Sequence, residues 1–170
     1  MKNTGHDLQL TGGKFQTHLR KEYFTERVVD DRNRPPAEVT FSLNNFVFKP
    51  GHSVEVVGFI PKDSNMFCIN FGKDENNLVL HFQPRFDLLG DKRTIVLNSR
   101  VDGSWGPEQR ESFFPFQEGT DTTVGFQFEE DKIIIELNHL NPLTFSARFP
   151  IEEISYLCVK QLQAKSITLK

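Results

Sequence analysis

The sequence has few cysteines, no long apolar run and no apparent leader. Its two cysteines, Cys68 and Cys158, lie in the apolar runs "NMFCINF" and "ISYLCVK", which predicts free core thiols rather than a disulfide framework. No run approaches the roughly 18 apolar residues that a membrane span needs. The opening "MKNTGHDLQL" lacks the apolar stretch of a signal peptide. We therefore expect synthesis in the cytosol and no insertion into a membrane.

Signatures of several enzyme and cofactor sites are also missing. The five histidines have no metal-ligand spacing with one another or with the cysteines, so we predict no zinc site. No glycine-rich phosphate loop and no serine nucleophile elbow is present, and we predict no cofactor. The net charge of −3 gives no general attraction to nucleic acid.

Phenylalanine is abundant, and its distribution indicates β structure. There are 17 Phe residues against one Trp and two Tyr, and Phe favours half-buried pleated surfaces. From Ala37 onward, short alternating or apolar runs such as "SVEVVGFI", "LVLHFQPRF", "RESFFPF" and "IIIEL" recur between turn signals such as "KPG" and "EEDK". This pattern predicts an all-β fold of about ten strands, an antiparallel sandwich or barrel.

The first part of the chain differs from the rest and divides it into two regions. Residues 1–36 are charged and end in "DDRNRPP", so we predict an N-terminal extension followed by one domain over residues 37–170. Phe15, Leu19, Tyr23 and Val28 approximate a helical stripe, which favours a short helix over residues 15–29. Disorder is the alternative, because the segment has few apolar residues to bury.

A row of polar side chains stands out in the stretch "HFQPRF". His81, Gln83 and Arg85 occur at alternate positions, so in an extended chain they share one face. The simplest interpretation is the solvated outer face of an antiparallel sheet.

Further polar residues with the same alternation follow within thirty positions. Asn98 is isolated in the apolar run "TIVLNS", the only tryptophan is Trp105, and Glu108 and Arg110 share a face. Neighbouring strands would collect these four residues beside the row. Fixed donors and acceptors next to one exposed aromatic suit a sugar, whose C–H face lies on an indole. The alternative is a surface ion pair with a half-buried core tryptophan.

The order and spacing of the whole set resemble one family. "HFQPRF", "TIVLNS" and "WGPEQRE" are similar to the galectin signature, which runs His-x-Asn-Pro-Arg, then Val-x-Asn, then Trp-x-x-Glu-x-Arg. The resemblance covers residues 37–170 and is to a one-domain, prototype galectin. It implies a jelly-roll β-sandwich of two antiparallel sheets and a lectin that binds β-galactoside glycans.

The resemblance also implies a role for each site residue. His81 and Arg85 would bond the axial 4-hydroxyl of galactose, while Asn98 and Glu108 would hold the 6-hydroxyl. Trp105 would stack on the sugar. The carbohydrate-binding set is then His81, Gln83, Arg85, Asn98, Trp105, Glu108 and Arg110.

Gln83 departs from the signature, which has Asn at this position. The extra methylene moves the amide by about an ångström, and an unpaired polar partner costs roughly 1–3 kcal/mol. The alternative function is therefore a galectin-like module of weakened or altered glycan specificity that acts in protein interaction or structure.

Further expectations concern catalysis, assembly and location of the protein. Glycoside hydrolysis needs two carboxylates, and Glu108 is the only one expected on the face, so we predict no enzyme. The resemblance implies a homodimer through edge strands near "EVTFSL" and "KSITLK", unless the extension covers that edge. It also implies a cytoplasmic protein that leaves cells by an unconventional route.

Overall fold

The computed structural model describes residues 6–11, 14–16 and 41–170; for the first two segments and for residue 45 it describes the backbone only. The described residues form fourteen strands and no helix. These strands are β1 (His6–Thr11), β2 (Lys14–Gln16), β3 (Phe41–Phe48), β4 (Ser53–Phe59), β5 (Cys68–Asp74), β6 (Asn77–Leu88), β7 (Asp91–Val101), β8 (Ser104–Trp105), β9 (Gln109–Glu111), β10 (Asp121–Phe128), β11 (Lys132–Leu137), β12 (Leu143–Ser146), β13 (Ile154–Lys160) and β14 (Gln163–Leu169).

The strands form two antiparallel sheets. Sheet A has the order β12-β11-β10-β4-β14-β1-β2. Sheet B has the order β3-β13-β5-β6-β7-β8, and β9 also pairs with β7. The predicted all-β, two-sheet architecture is confirmed. The predicted strand "RESFFPF" is shorter than expected, since only Gln109–Glu111 pairs with β7 and the following residues form a loop.

The core between the sheets is built largely from phenylalanine. Among the side chains that the structure describes, seven Phe rings are fully buried: Phe67, Phe71, Phe82, Phe116, Phe126, Phe128 and Phe145. Phe71 of sheet B meets Phe126 of sheet A edge to face, with ring centroids 4.8 Å apart. Truncation of one such ring to Ala typically costs about 3–5 kcal/mol, so these contacts hold the two sheets together.

Strand β6 connects this core to the outer face of sheet B. Phe82 is completely buried, and its neighbours His81 and Gln83 therefore point to the opposite face. The alternation that packs the core thus presents the polar row outward.

A tight hairpin fixes how β6 and β7 face each other. Leu89 (φ 52°) and Gly90 (φ 85°) form the two-residue connection, and both adopt left-handed backbone conformations. Such turns match the twist of the flanking strands. Leu88 is the last residue of β6, and Leu89 lies in the turn with its side chain exposed.

The N-terminal region differs from expectation where it is described. Disorder or a short helix was predicted for residues 1–36, but His6–Thr11 and Lys14–Gln16 are strands. They are extended because β1 pairs with β14, from His6 opposite Leu169 to Gln9 opposite Ser166. The rest of the expected helix, residues 17–29, lies outside the described residues, and the division after residue 36 stays a prediction.

The described residues contain free buried thiols and neither a metal-ligand cluster nor a membrane-spanning helix. Cys68 and Cys158 are buried and free, as predicted, and burial raises the pKa of the Cys68 thiol to about 12. Across residues 41–170 and the two short N-terminal strands, no cluster of three or more His, Cys, Asp or Glu could hold a metal ion. The same part of the chain contains no helix long and apolar enough to cross a membrane.

Removal of residues 1–36 should leave the sandwich folded, because the buried apolar cluster among the described side chains runs from Leu43 to Ile167. It should also increase self-association, because the edge of β14 loses its partner. Near-UV circular dichroism and sedimentation velocity measure these two outcomes. Removal of residues 1–5, which spares both strands, is the matched control. An unfolded truncated chain would show instead that the hairpin is an integral part of the fold.

Candidate functional site

The structure places all seven predicted site residues at one end of sheet B. His81, Gln83 and Arg85 lie on β6, and Asn98 faces His81 from β7. The remaining three are Trp105 on β8, Glu108 in the loop before β9, and Arg110 on β9. Side-chain contacts join several members of this set.

His81 is held in one orientation and in one protonation state. Its Nδ1–H donates to Oδ1 of the buried Asn70 on β5 (2.6 Å). Because an amide oxygen only accepts, the proton lies on Nδ1, and Nε2 is left as an acceptor. Burial lowers the pKa of His81 to about 4 and outweighs a hydrogen bond with Gln83, which acts in the opposite direction, while the positive charges of Arg85 and Lys160 lower the pKa further. His81 is therefore neutral at physiological pH.

Trp105 stands at the surface rather than in the core. Its side chain is 49% exposed, and its ring lies 4.8 Å from the ring of His81. The guanidinium of Arg100 lies 4.9 Å from the indole centroid and is itself fixed by donating to the backbone oxygens of Gly103 and Glu75. A held, half-exposed indole beside polar groups is the platform that a sugar ring needs.

Four charged residues form an alternating network on the same face. Arg85 donates to Asp91 (2.6 Å) and lies 3.8 Å from a Glu108 oxygen. Arg110 bridges the same two acids, donating to Asp91 (2.5 Å) and Glu108 (2.6 Å). Paired guanidinium and carboxylate groups fix one another in direction.

Asp91 is a site residue that the sequence analysis missed, and the expectation that Glu108 is the only carboxylate on this face was wrong. Asp91 pairs with Leu88 across the tight hairpin, and its carboxylate contacts Arg85 and Arg110. Hydrogen bonds from Arg110 and Arg85 lower the pKa of Asp91. Alternation along β6 could not show that the residue after the turn reaches the arginines.

Gln83 is buried, and its amide is engaged at both ends. Its Oε1 accepts from Nε of Arg85 (2.9 Å), and its Nε2–H donates to the sulfur of Met66 (3.6 Å). The residue that departs from the galectin signature is thus tied to the network on one side and to Met66 on the other.

Asn98 is positioned by Arg148, a second residue that the sequence analysis missed. Oδ1 of Asn98 accepts from the Ser99 amide (2.8 Å) and from Arg148 (2.7 Å), while Nδ2 donates to the Gly106 carbonyl (2.9 Å). Arg148 also donates to the Pro107 carbonyl. One N–H of the Asn98 amide remains for a ligand. Arg148 lies fifty residues beyond Asn98, so no local spacing could have revealed this contact.

Gly106 leaves room for this arrangement. A Cβ added at Gly106 would stand 2.4 Å from a guanidinium nitrogen of Arg148 and 3.3 Å from Oδ1 of Asn98. The glycine after Trp105 therefore lets the loop that carries the indole close onto the buried amide.

Comparison with known proteins agrees with this geometry. The family model described as galactoside-binding lectin matches residues 39–168. The chain belongs to the galectin family. It is 42% identical over 132 residues to galectin-1 of the toad Rhinella arenarum, covering 78% of this chain and 98% of that protein.

Solved galectin structures share the fold. A toad ovary galectin in complex with thio-digalactose superposes with a TM-score of 0.75 at 42% identity, covering 79% of this chain and 98% of that one. CG-16, a homodimeric agglutinin from chicken liver, superposes with a TM-score of 0.74 at 36% identity, covering 77% and 99%. The predicted family and jelly-roll sandwich are confirmed for this galectin.

The neutral state of His81 should make stability depend on pH. The unfolded chain protonates this residue near its ordinary pKa of 6.5, but the folded chain does so only near 4. The stability that the neutral form contributes is thus complete above about 6.5 and is lost as the pH falls toward 4. His81→Gln should flatten this slope, which we estimate at about 1–3 kcal/mol across the window.

Urea unfolding at several pH values between 4 and 7 measures this slope. His139→Gln is the control, because His139 is exposed in the β11–β12 turn. Equal slopes in the wild type and in His81→Gln would contradict the assignment.

Proposed function

We propose that this galectin binds β-galactosides of the lactose or N-acetyllactosamine type on the polar face of sheet B. The observation that carries the proposal is a half-exposed indole beside polar groups whose directions are already fixed by one another. Preorganised donors and acceptors lose little freedom when a polyhydroxylated ligand arrives. A sugar offers the matching combination of an apolar C–H face and a ring of hydroxyls.

Five of the site residues contact the galactose unit in this proposal. Nε2 of His81 accepts from a sugar hydroxyl, and Arg85 donates to the same axial 4-hydroxyl. The free N–H of Asn98 donates to the 6-hydroxyl, which also bonds Glu108. Trp105 carries the C–H face of galactose.

The ionic network extends the site to a second sugar. Arg110 and Glu108 are more exposed than Arg85, with 45%, 37% and 9% of their side chains accessible. They therefore present donors and an acceptor to the residue that follows galactose. The complex of the related toad ovary galectin with thio-digalactose, which contains two linked galactose units, supports a site of this length.

We propose binding without chemical conversion of the glycan. Glycoside hydrolysis needs a protonated carboxyl group to donate to the leaving oxygen. Asp91, whose pKa is lowered by two arginines, is ionised at neutral pH. Glu108, the second carboxylate of the face, is engaged by Arg110. Neither arrangement favours a general acid.

A second candidate function is recognition of a less common glycan or of a protein partner. The engagement of both ends of the Gln83 amide favours this second candidate. The amide oxygen is bonded to Arg85 and one N–H to Met66, so only the other N–H is left for a galactoside. Failure of simple galactosides to bind would support this candidate.

We further propose a homodimer that cross-links glycans, as the homodimeric state of the related CG-16 suggests. Two linked sites raise avidity without better contacts at each. In this chain β1 pairs with the edge of β14, one of the two strands expected at the dimer contact.

We place the protein in the cytoplasm and, by unconventional export, outside the cell. Its release into medium while transport through the Golgi is blocked would test that location.

Calorimetric titration with lactose tests the lectin function. The wild type should release heat on binding, and Trp105→Ala should weaken binding about five- to a hundredfold, by analogy with the roughly 1–3 kcal/mol of other ring-on-aromatic stacking. Thermal stability should remain nearly unchanged, because the indole is half exposed.

Phe113→Ala is the matched control, since Phe113 is an exposed aromatic outside the polar row, with 44% of its side chain accessible. It should bind lactose as the wild type does. Absence of heat with the wild type at millimolar lactose would exclude binding of simple galactosides. A large loss of stability in Trp105→Ala would reassign the indole to the core.

A further inference from the structure

The orientation of the Gln83 amide is set by its charged neighbour. Nε of Arg85 is a donor, so the amide oxygen must face it, and the two are 2.9 Å apart. An amide is planar, and its nitrogen therefore points away from Arg85. In this structure the nitrogen meets the sulfur of Met66 at 3.6 Å, within the longer range of bonds to sulfur.

Met66 is a fixed neighbour of the site. Its backbone forms an isolated bridge with Arg85, and the Ser64 hydroxyl donates to its carbonyl (2.7 Å). The next residue, Phe67, donates from its backbone to the Pro84 carbonyl (3.2 Å) and is completely buried. These contacts hold the segment before β5 against β6, so the thioether stays beside Gln83.

We propose that Met66 is a specificity-determining residue of this galectin that acts through Gln83. A thioether is a weak acceptor, yet it occupies one of the two amide N–H groups. The polar row therefore offers a ligand one donor at this position instead of two. The inference rests on the proposed galactoside site, because it assigns Met66 a role in that same site.

The contact with Met66 requires the length of a glutamine side chain. An asparagine at position 83 is one methylene shorter, and a hydrogen bond weakens steeply over such a displacement. A shorter amide bonded to Arg85 would leave its nitrogen out of reach of Met66. Gln83 and Met66 thus act as one unit, and substitution of either should remove the effect of the other.

A double-mutant cycle with lactose tests this coupling. Met66→Leu conserves volume and removes the sulfur acceptor. In the wild-type background it should tighten lactose binding about threefold, because a sugar hydroxyl is a better acceptor than a thioether. In the Gln83→Asn background the same substitution should change nothing. Met66→Ile, a second apolar replacement, should reproduce both results.

A readout that needs no ligand completes the test. The side-chain amide resonances of Gln83, identified by their loss in Gln83→Asn, should shift in Met66→Leu when a nitrogen–hydrogen correlation spectrum is recorded without sugar. If the Gln83 amide resonances do not shift in Met66→Leu, the assignment of Met66 is overturned, whether or not lactose binds. An equal effect of Met66→Leu in both backgrounds would overturn it too. Absence of lactose binding by all variants, with a shifted amide, would overturn the proposed function and leave the Gln83–Met66 contact established.

Discussion

The site depends on the near-complete burial of one guanidinium group. Only 9% of the Arg85 side chain is accessible, and a buried charge is costly unless anions and acceptors surround it. Asp91, Glu108 and the amide oxygen of Gln83 meet that demand. Each of these partners is thereby oriented, and Arg110 is oriented through the two acids. The arrangement of the polar face follows from the need to satisfy one cation.

Much of the fold follows from alternation along the chain. In β6 the burial of Phe82 between His81 and Gln83 is a direct result of the two-residue period, and it shows in the sequence. The same period put Asn98 on the polar face of its strand, and the register of β6 and β7 places it directly opposite His81. The segment before β5 and the N-terminal strands were less predictable. Their backbones pair with strands that are remote in the sequence, and such pairing leaves no periodic pattern of apolar residues.

The contacts that the sequence could not reveal are those that join remote elements. Arg148 reaches Asn98 across fifty positions, and Met66 reaches Gln83 from a segment with no regular strand of its own. Asp91 was missed for a different reason, because a two-residue turn redirects the side chain that follows it. Residue types and spacing therefore predicted seven residues that the fold brings to one face, whereas their orientation comes from neighbours that only the folded chain supplies.

The choice of phenylalanine for the core has a spectroscopic consequence. The chain contains one tryptophan, and it stands on the polar face between His81 and Arg100. The fully buried rings of residues 41–170 are phenylalanines, which absorb and emit too weakly to mask an indole. Light emitted above the tyrosine range therefore comes from the site alone. The molecule carries an intrinsic optical reporter of occupancy, and neither labelling nor subtraction of a core signal is needed to read it.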